Sequence, residues 1–298
     1  MEIILNTNEL GYAPFLNKKV DSFVIGFKDF CINQKFCLDY KNLLTSMSEI
    51  KANDKKIYVS INFFATEKDI DKLKKVLHKL QKLDVDGFIV SDLGVANLFK
   101  KYNLASKLII DLQTYVTNKY SALSLLNLGV KRVTISKEIT LDDIKEIAAF
   151  LNGNVEVLAQ GYIPITHSKR NILSCYYKNI KKKCNSSLHF LKEENRDNYY
   201  LLSESKDNLT VYNDKEYSLF SSLPELIDSK ITTYKIDASY LNEDLINEYI
   251  EFYSEGIKLI KENKLNEYNS LSQKFSQKYS FDTPFLHNQS VLLKGGDK

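Results

Sequence analysis

Gly87-Phe88-Ile89-Val90-Ser91-Asp92-Leu93-Gly94-Val95 is the stretch that decides the fold. Its first five residues form a short apolar, β-branched run of the kind a buried strand needs, and helical periodicity takes over across Val95–Tyr102. Asp92 stands between them, where a carboxylate caps the free amides of a first helical turn. The same alternation of strand, polar strand end and helix extends in both directions, which is the pattern of βα units on a parallel sheet.

Strands read at Ile3–Leu5, Ser22–Phe27, Ile57–Phe63, Gly87–Ser91, Leu108–Leu112, Arg132–Ser136, Val155–Gln160 and Thr232–Asp237, which makes eight. Helical stretches lie at Leu38–Lys51, Glu67–Leu83, Val95–Tyr102, Lys119–Leu128, Leu141–Leu151 and Asn242–Glu262, with Thr140 and Asp143 as one capping signature. Eight parallel strands with outer helices close into a barrel and leave no sheet edge exposed. The sequence therefore predicts an α/β fold, a TIM-like (β/α)8 barrel over residues 1–262. A long insertion, about 163–230, separates the seventh and eighth strands, with a hairpin expected around Asn208 and a short helix at Leu223–Asp228. Residues 263–298 read as a short C-terminal helix and a frayed tail.

Composition narrows the class. Of 298 residues, 44% are hydrophobic and 27% charged, the balance of an ordinary globular chain. The N-terminus lacks a signal-peptide pattern and no apolar run reaches the length of a membrane span, so the expected address is cytoplasmic, with no membrane partner. The net charge of +3, from 41 basic and 38 acidic side chains, does not by itself announce a nucleic-acid binder. Walker, GxGxxG, HExxH and GxSxG patterns are all absent from the sequence.

Barrel chemistry gathers at the C-terminal ends of the strands. Those ends offer Asn62, Asp92, Asp111, Gln113, Lys137, Glu138, Gln160, Tyr162 and Asp237, although any of them also reads as a helix cap. Ser168-Lys169-Arg170 follows the seventh strand and brings two cations, so an anionic ligand is the natural expectation, with Gln113 and Asn62 as further contacts. The bland alternative is a solvated basic loop. Lys181, Lys182 and Lys183 suit RNA phosphates, with Tyr176 and Tyr177 for stacking, and the same run also reads as solvated surface. Cys31, Cys37, Cys175 and Cys184 do not have the tight spacing of a cluster motif, and their roles stay open. Cys175 with His167 or His189 is a conceivable nucleophile and base, whereas His78 and His287 fit no metal-ligand spacing.

Asp86–Gly94, Gln113–Asn118, Ser136–Leu141, Ser168–Ser174, Pro224–Ile227, Tyr234–Asp237 and Asp282–Phe285, in that order and spacing, resemble the peptidase U-32 (collagenase-like) family, most closely its short Firmicutes-type branch associated with tRNA hydroxylation. The resemblance implies a part in forming 5-hydroxyuridine at the tRNA wobble position, with tRNA as partner and a prephenate-like anionic metabolite as ligand. Glu138, Asp92 and Asp237 would then orient that ligand or handle protons. Two alternatives accompany it, a collagenase-like peptidase and a non-catalytic partner of a longer homologous subunit. Many members carry a cysteine where Asn171 stands, and a close pair where this chain has Cys184 and, nearby, Leu188. Those members are associated with a four-iron four-sulfur cluster. Cys31 falls where one branch places a ligand, but the short branch does without the cluster and no cofactor is expected here.

Overall fold

A computed structural model describes residues 1–183, 186, 188–195, 197–205, 208–283 and 285–287. In chain order it runs β1 (Glu2–Asn6), β2 (Ser22–Phe27), a short β3 (Cys37–Leu38), α1 (Tyr40–Ala52), β4 (Lys56–Ile61), α2 (Glu67–Leu80), β5 (Gly87–Val90), α3 (Leu93–Lys101), β6 (Leu108–Ile110), α4 (Lys119–Leu126), β7 (Arg132–Thr134), α5 (Leu141–Phe150) and β8 (Val155–Gly161). The insertion contributes β9 (Pro164–Ser168), α6 (Ile172–Asn179), β10 (Leu188–Lys192), β11 (Tyr199–Ser205), β12 (Asn208–Tyr212), β13 (Tyr217–Ser218) and α7 (Leu223–Asp228). The chain then returns through β14 (Thr233–Asp237) to α8 (Glu243–Lys261) and α9 (Leu265–Lys278).

Neighbouring strands follow the order β1, β14, β8, β7, β6, β5, β4, β2, and the pairing of Ile4–Asn6 with Ser22–Val24 closes the ring. All eight pairings in that ring are parallel, so the predicted TIM-like barrel is the fold observed. Helix starts are fixed locally. Asp92 accepts from the Val95 amide at 2.9 Å, and the Thr140 and Asp143 side chains form a reciprocal capping box.

Two apolar layers hold the barrel. The larger packs the helices on the outer face of the strands, while Ile4, Val24, Tyr58, Ile89 and Ile109 form a separate cluster on alternate positions of β1, β2, β4, β5 and β6. β7, β8 and β14 contribute no residue to that second cluster and instead bury Arg132, Thr134, Glu156 and Lys235.

The insertion is more ordered than its sequence suggests. β11 and β12 are the expected hairpin, but they sit inside a four-stranded antiparallel sheet in the order β10, β11, β12, β9. β9 and β10 escape a reading based on burial because Ile165, Leu188, Phe190 and Leu191 are exposed and leave no alternating pattern to detect. The C-terminal helix α9 buries Tyr268 and Phe275, and the Phe275 ring lies 4.4 Å from that of Phe220. The frayed end expected beyond residue 287 lies outside the described residues. Among those residues no helix is long and apolar enough to cross a membrane.

Candidate functional site

At the C-terminal end of the barrel the strand ends surround a cavity of about 70 Å³. Below it runs a ladder of buried charges. Glu2 accepts from the Tyr58 hydroxyl at 2.7 Å and pairs with Arg132 at 3.3 Å; the Arg132 Nε donates to Glu156 at 2.9 Å. Glu156 also pairs with Lys235 at 3.1 Å, and Lys235 with Asp111 at 2.8 Å. Burial works against Arg132 and Lys235, yet the carboxylates on either side hold both above their ordinary ranges. Burial likewise pushes Asp111 up, but Lys235 and Lys137 outweigh it and keep its carboxyl below the usual range.

Lys137 ends this ladder differently. It is buried, and its ammonium donates to the neutral Gln113 Oε1 at 2.6 Å; among the described residues no carboxylate lies within ion-pairing distance of it. Burial, with Lys235 nearby, lowers its pKa, and Asp111, Asp237 and Glu138 only partly offset the shift. Gln113 is held for this role in a left-handed backbone at φ +62°, with its amide donating to Asp111 at 3.2 Å. That conformation is uncommon outside glycine and costs free energy, so its presence at a strand end marks a constrained site.

Asp237 stands on the same rim. Its Oδ1 accepts from Asn6 Nδ2 at 3.1 Å, from the Ser239 amide at 3.1 Å and from the Ser239 hydroxyl at 2.7 Å, all neutral donors. Gly161 lets β8 approach this point, since a Cβ there would come within 2.6 Å of the Asp237 carbonyl oxygen. The remaining polar lining is rich in carboxamides: Asn6, Asn33, Gln34, Asn62 and Gln113. Gln34 reaches in from the loop between β2 and β3, donating to Asn6 Oδ1 and, at 3.3 Å, to the Val24 carbonyl. Lys137, which has no carboxylate within ion-pairing distance among the described residues, shares this lining with the Lys235–Asp111 pair, with amide donors and with the neutrally solvated Asp237, a set that can hold a small anion and move a proton beside it.

The predicted site residues divide. Asn62, Gln113 and Asp237 line the cavity, and the Asn62 side chain accepts from the Ile32 amide at 2.9 Å. Asp92 is committed to capping α3, and Glu138 is half-buried beside the cavity without lining it. Ser168, Lys169 and Arg170 do not reach this space. Ser168 Oγ accepts from the Arg170 amide at 3.1 Å, Arg170 is exposed, and Lys169 donates to the Phe64 carbonyl at 2.8 Å. β9 runs beside β12 and carries Lys169 out to a lateral groove of about 890 Å³, where it joins Phe64, Lys72 and Lys75. Lys137, Asn33, Gln34 and Lys235 also line the cavity, with Glu156 buried behind Lys235, and none of them stands out in the sequence as a ligand contact. Lys137 is visible there only as one strand-end residue among several, and its burial is what sets it apart.

Lys181, Lys182 and Lys183 are exposed at the end of α6. No Asp or Glu occurs anywhere in residues 157–192, whereas that span holds Lys169, Arg170, Lys178, Lys181, Lys182, Lys183 and Lys192. α6 adds exposed Ile172 and Tyr176 to this basic surface. The histidines near it are occupied: His189 by Tyr177 at 3.3 Å and the Ser186 carbonyl at 2.8 Å, His167 by Thr210 at 2.9 Å. Burial, then Lys137, pull His167 down to about 4, so it is neutral at pH 7.

A four-thiolate cluster needs four converging sulfurs. Cys31 and Cys37 touch each other at 2.8 Å near the end of β2, Cys175 is exposed on α6, and Cys184 lies outside the described residues. Asn171 and Leu188 supply no thiolate, and no group of three or more His, Cys, Asp or Glu among the described residues is placed to hold a metal ion. The described residues do not fit such a cluster.

Relatives among known proteins match most of the chain in sequence. The chain is 22% identical over 303 residues to tRNA hydroxylation protein P2 of Bacillus subtilis, covering 97% of this chain and 98% of that one. It is 26% identical to tRNA hydroxylation protein P of Helicobacter pylori, covering 83% of this chain but only 64% of the longer relative. A solved U32 peptidase structure aligns with 54% of this chain and 69% of its own at a TM-score of 0.44 and 12% identity. The sequence profile of Peptidase family U32 matches residues 10–291, and the chain belongs to that family.

Proposed function

We propose that this protein takes part in tRNA modification by hydroxylation, forming 5-hydroxyuridine at the wobble position with a small prephenate-like anion bound in the barrel mouth. The observation that carries the ligand half is Lys137, a buried ammonium whose hydrogen-bond partner is neutral. An incoming carboxylate supplies the missing counter-charge, Gln113, Asn62 and the other amides fix its orientation, and Asp237 takes or returns a proton. The RNA half is supported by the names of the Bacillus and Helicobacter relatives and by the exposed Lys181, Lys182 and Lys183 at the end of α6, on a stretch of sequence, 157–192, without Asp or Glu, with these lysines against phosphates. The reading needs no iron–sulfur cluster. Proteolysis by Cys175 fits less well, because Cys175 is exposed on α6 while His167 and His189 direct ring nitrogens to Thr210, Tyr177 and the Ser186 carbonyl.

Nucleoside mass spectrometry on tRNA from a strain lacking the gene tests this directly. The 5-hydroxyuridine derivatives should disappear, return with the wild-type gene, and stay absent with Lys137→Met. Unchanged derivatives in the deletion strain would overturn the proposal.

A further inference from the structure

We propose that Cys31 and Cys37 are a reversible oxidation site whose disulfide locks the loop between β2 and β3 over the barrel mouth. The two sulfurs lie 2.8 Å apart, closer than non-bonded sulfurs normally sit, and a bond at about 2.0 Å needs less than about 1 Å of further approach. The backbone is arranged around the pair. Cys37 is in parallel register with Gly26, and a Cβ on Gly26 would stand 2.6 Å from the Cys37 sulfur and 2.7 Å from that of Cys31. Any other residue at position 26 would push into both thiols. Cys31 also lines the lateral groove, which gives a small oxidant a path to the pair.

The residues between the two thiols are those that close the mouth. The Ile32 amide donates to Asn62, the Asn33 carboxamide accepts from Thr210 at 2.7 Å, and Gln34 fills the space above Asn6. The cavity left beneath, about 70 Å³, is far below the roughly 300–1,000 Å³ of ligand pockets, so a ring-bearing anion enters only when Gln34 lifts. A covalent link from residue 31 to residue 37 ties both ends of that loop together and holds the mouth shut. The oxidant is a peroxide. One thiolate attacks an oxygen of hydrogen peroxide and breaks the O–O bond, giving a sulfenic acid and a hydroxide that takes up the proton the thiol had released, one water in all; the sulfur of the other thiol then displaces the sulfenic oxygen, which leaves with that thiol's proton as a second water, forming the disulfide. Two thiols lose two electrons, the peroxide gains them, and exchange with a dithiol reverses the bond.

Peroxide treatment of the full chain, followed by alkylation and non-reducing peptide mass spectrometry, reads the bond. Titratable thiols should fall by two from the four in the sequence, with residues 31 and 37 in one linked peptide, and dithiothreitol should restore them. Amide hydrogen exchange over residues 28–38 should then slow by about tenfold or more in the oxidised wild type, but not in Cys37→Ser carrying the same treatment. Thermal melting of Cys37→Ser checks that the variant folds. Free thiols at both positions after oxidation, a link made through Cys175 instead, or an unchanged exchange rate in the linked protein would each overturn the inference. None of these readouts depends on the tRNA assay, so this idea and the proposed function fail separately.

Discussion

The barrel mouth and the insertion both collect cations, but they treat them in opposite ways. In the barrel, Arg132 and Lys235 are buried and each is matched by two carboxylates, and Lys137 is buried and, among the described residues, matched by none. In the insertion, Lys178, Lys181, Lys182 and Lys183 stand in solvent on a segment from which acids are missing altogether. A buried charge is expensive unless paired, so an unpaired one is retained for a ligand; an exposed charge costs little, and a field of one sign attracts a polyanion. On the proposed function, the chemistry belongs to the barrel mouth and the docking to the basic face, and the difference in burial is what separates them.

The sharpest way to break this contrast is to remove one rung. Glu156 is fully buried and serves both Arg132 and Lys235, so Glu156→Gln takes one of two carboxylates from each buried cation and leaves Arg132 with Glu2 and Lys235 with Asp111. We expect a loss of about 3–5 kcal/mol, read as a lower denaturant midpoint with an unchanged slope. Replacing Lys181, Lys182 and Lys183 together by Ala should change stability by less than about 0.5 kcal/mol. Equal losses in the two proteins would mean that the ladder is not the structural element it is taken for.

Lys137→Met comes next and separates stability from binding. Deleting an ammonium that is desolvated and only neutrally bonded should leave the melting temperature unchanged or raised. Binding of a dicarboxylate, measured by calorimetry, should weaken by about 1.5–3 kcal/mol, roughly tenfold to a hundredfold. The pH dependence has a definite sign. Lys137 attracts an anion only while protonated, and burial lowers its pKa, so affinity is full at low pH and falls as pH rises, beginning below the ordinary lysine value of about 10.5. Anion binding that stays flat up to that value would assign the attraction to an ordinary exposed lysine.

Why the sequence reveals the barrel but not its ladder follows from the same physics. Strands such as Phe23–Phe27 and Phe88–Val90 are buried on both faces, and their continuous apolar runs are visible without coordinates. Glu2, Arg132, Glu156 and Lys235 sit in equally buried strands, but a charged residue in a sequence reads as solvent-facing until its partner is known, and these partners lie up to 130 residues apart. Gln113 and Asp237 are legible because strand ends point at the mouth whatever the residue. Lys169 and Arg170 outrank Lys137 in the sequence through their position after the seventh strand, and the turn into β9 takes them away from the mouth. β9 and β10 leave no apolar alternation to read.

The basic face gives a smaller and more selective effect. Removing Lys181, Lys182 and Lys183 should weaken RNA binding in proportion to the phosphates they neutralise, and each phosphate no longer neutralised should flatten the slope of log affinity against log salt by about 0.7 for single-stranded RNA. Fluorescence anisotropy with a labelled anticodon stem-loop at several salt concentrations measures that slope. Lys137→Met should leave it untouched.

The smallest expected effect is the one that decides between the two cation sites directly. Lys169 precedes Arg170 in the tripeptide that the sequence puts forward, but its ammonium is half-exposed, donates to the Phe64 carbonyl and lies 3.9 Å from Asp69. Asp69 is already stabilised by the amide and hydroxyl of Thr66, so neither group depends on the other, and solvent screens what attraction remains. Lys169→Ala should therefore cost less than about 0.5 kcal/mol in stability and change dicarboxylate affinity by less than about twofold in the same calorimetric titration used for Lys137→Met. A loss as large as that of Lys137→Met would place the anion in the lateral groove beside Phe64, Lys72 and Lys75 and take the ligand away from the barrel mouth.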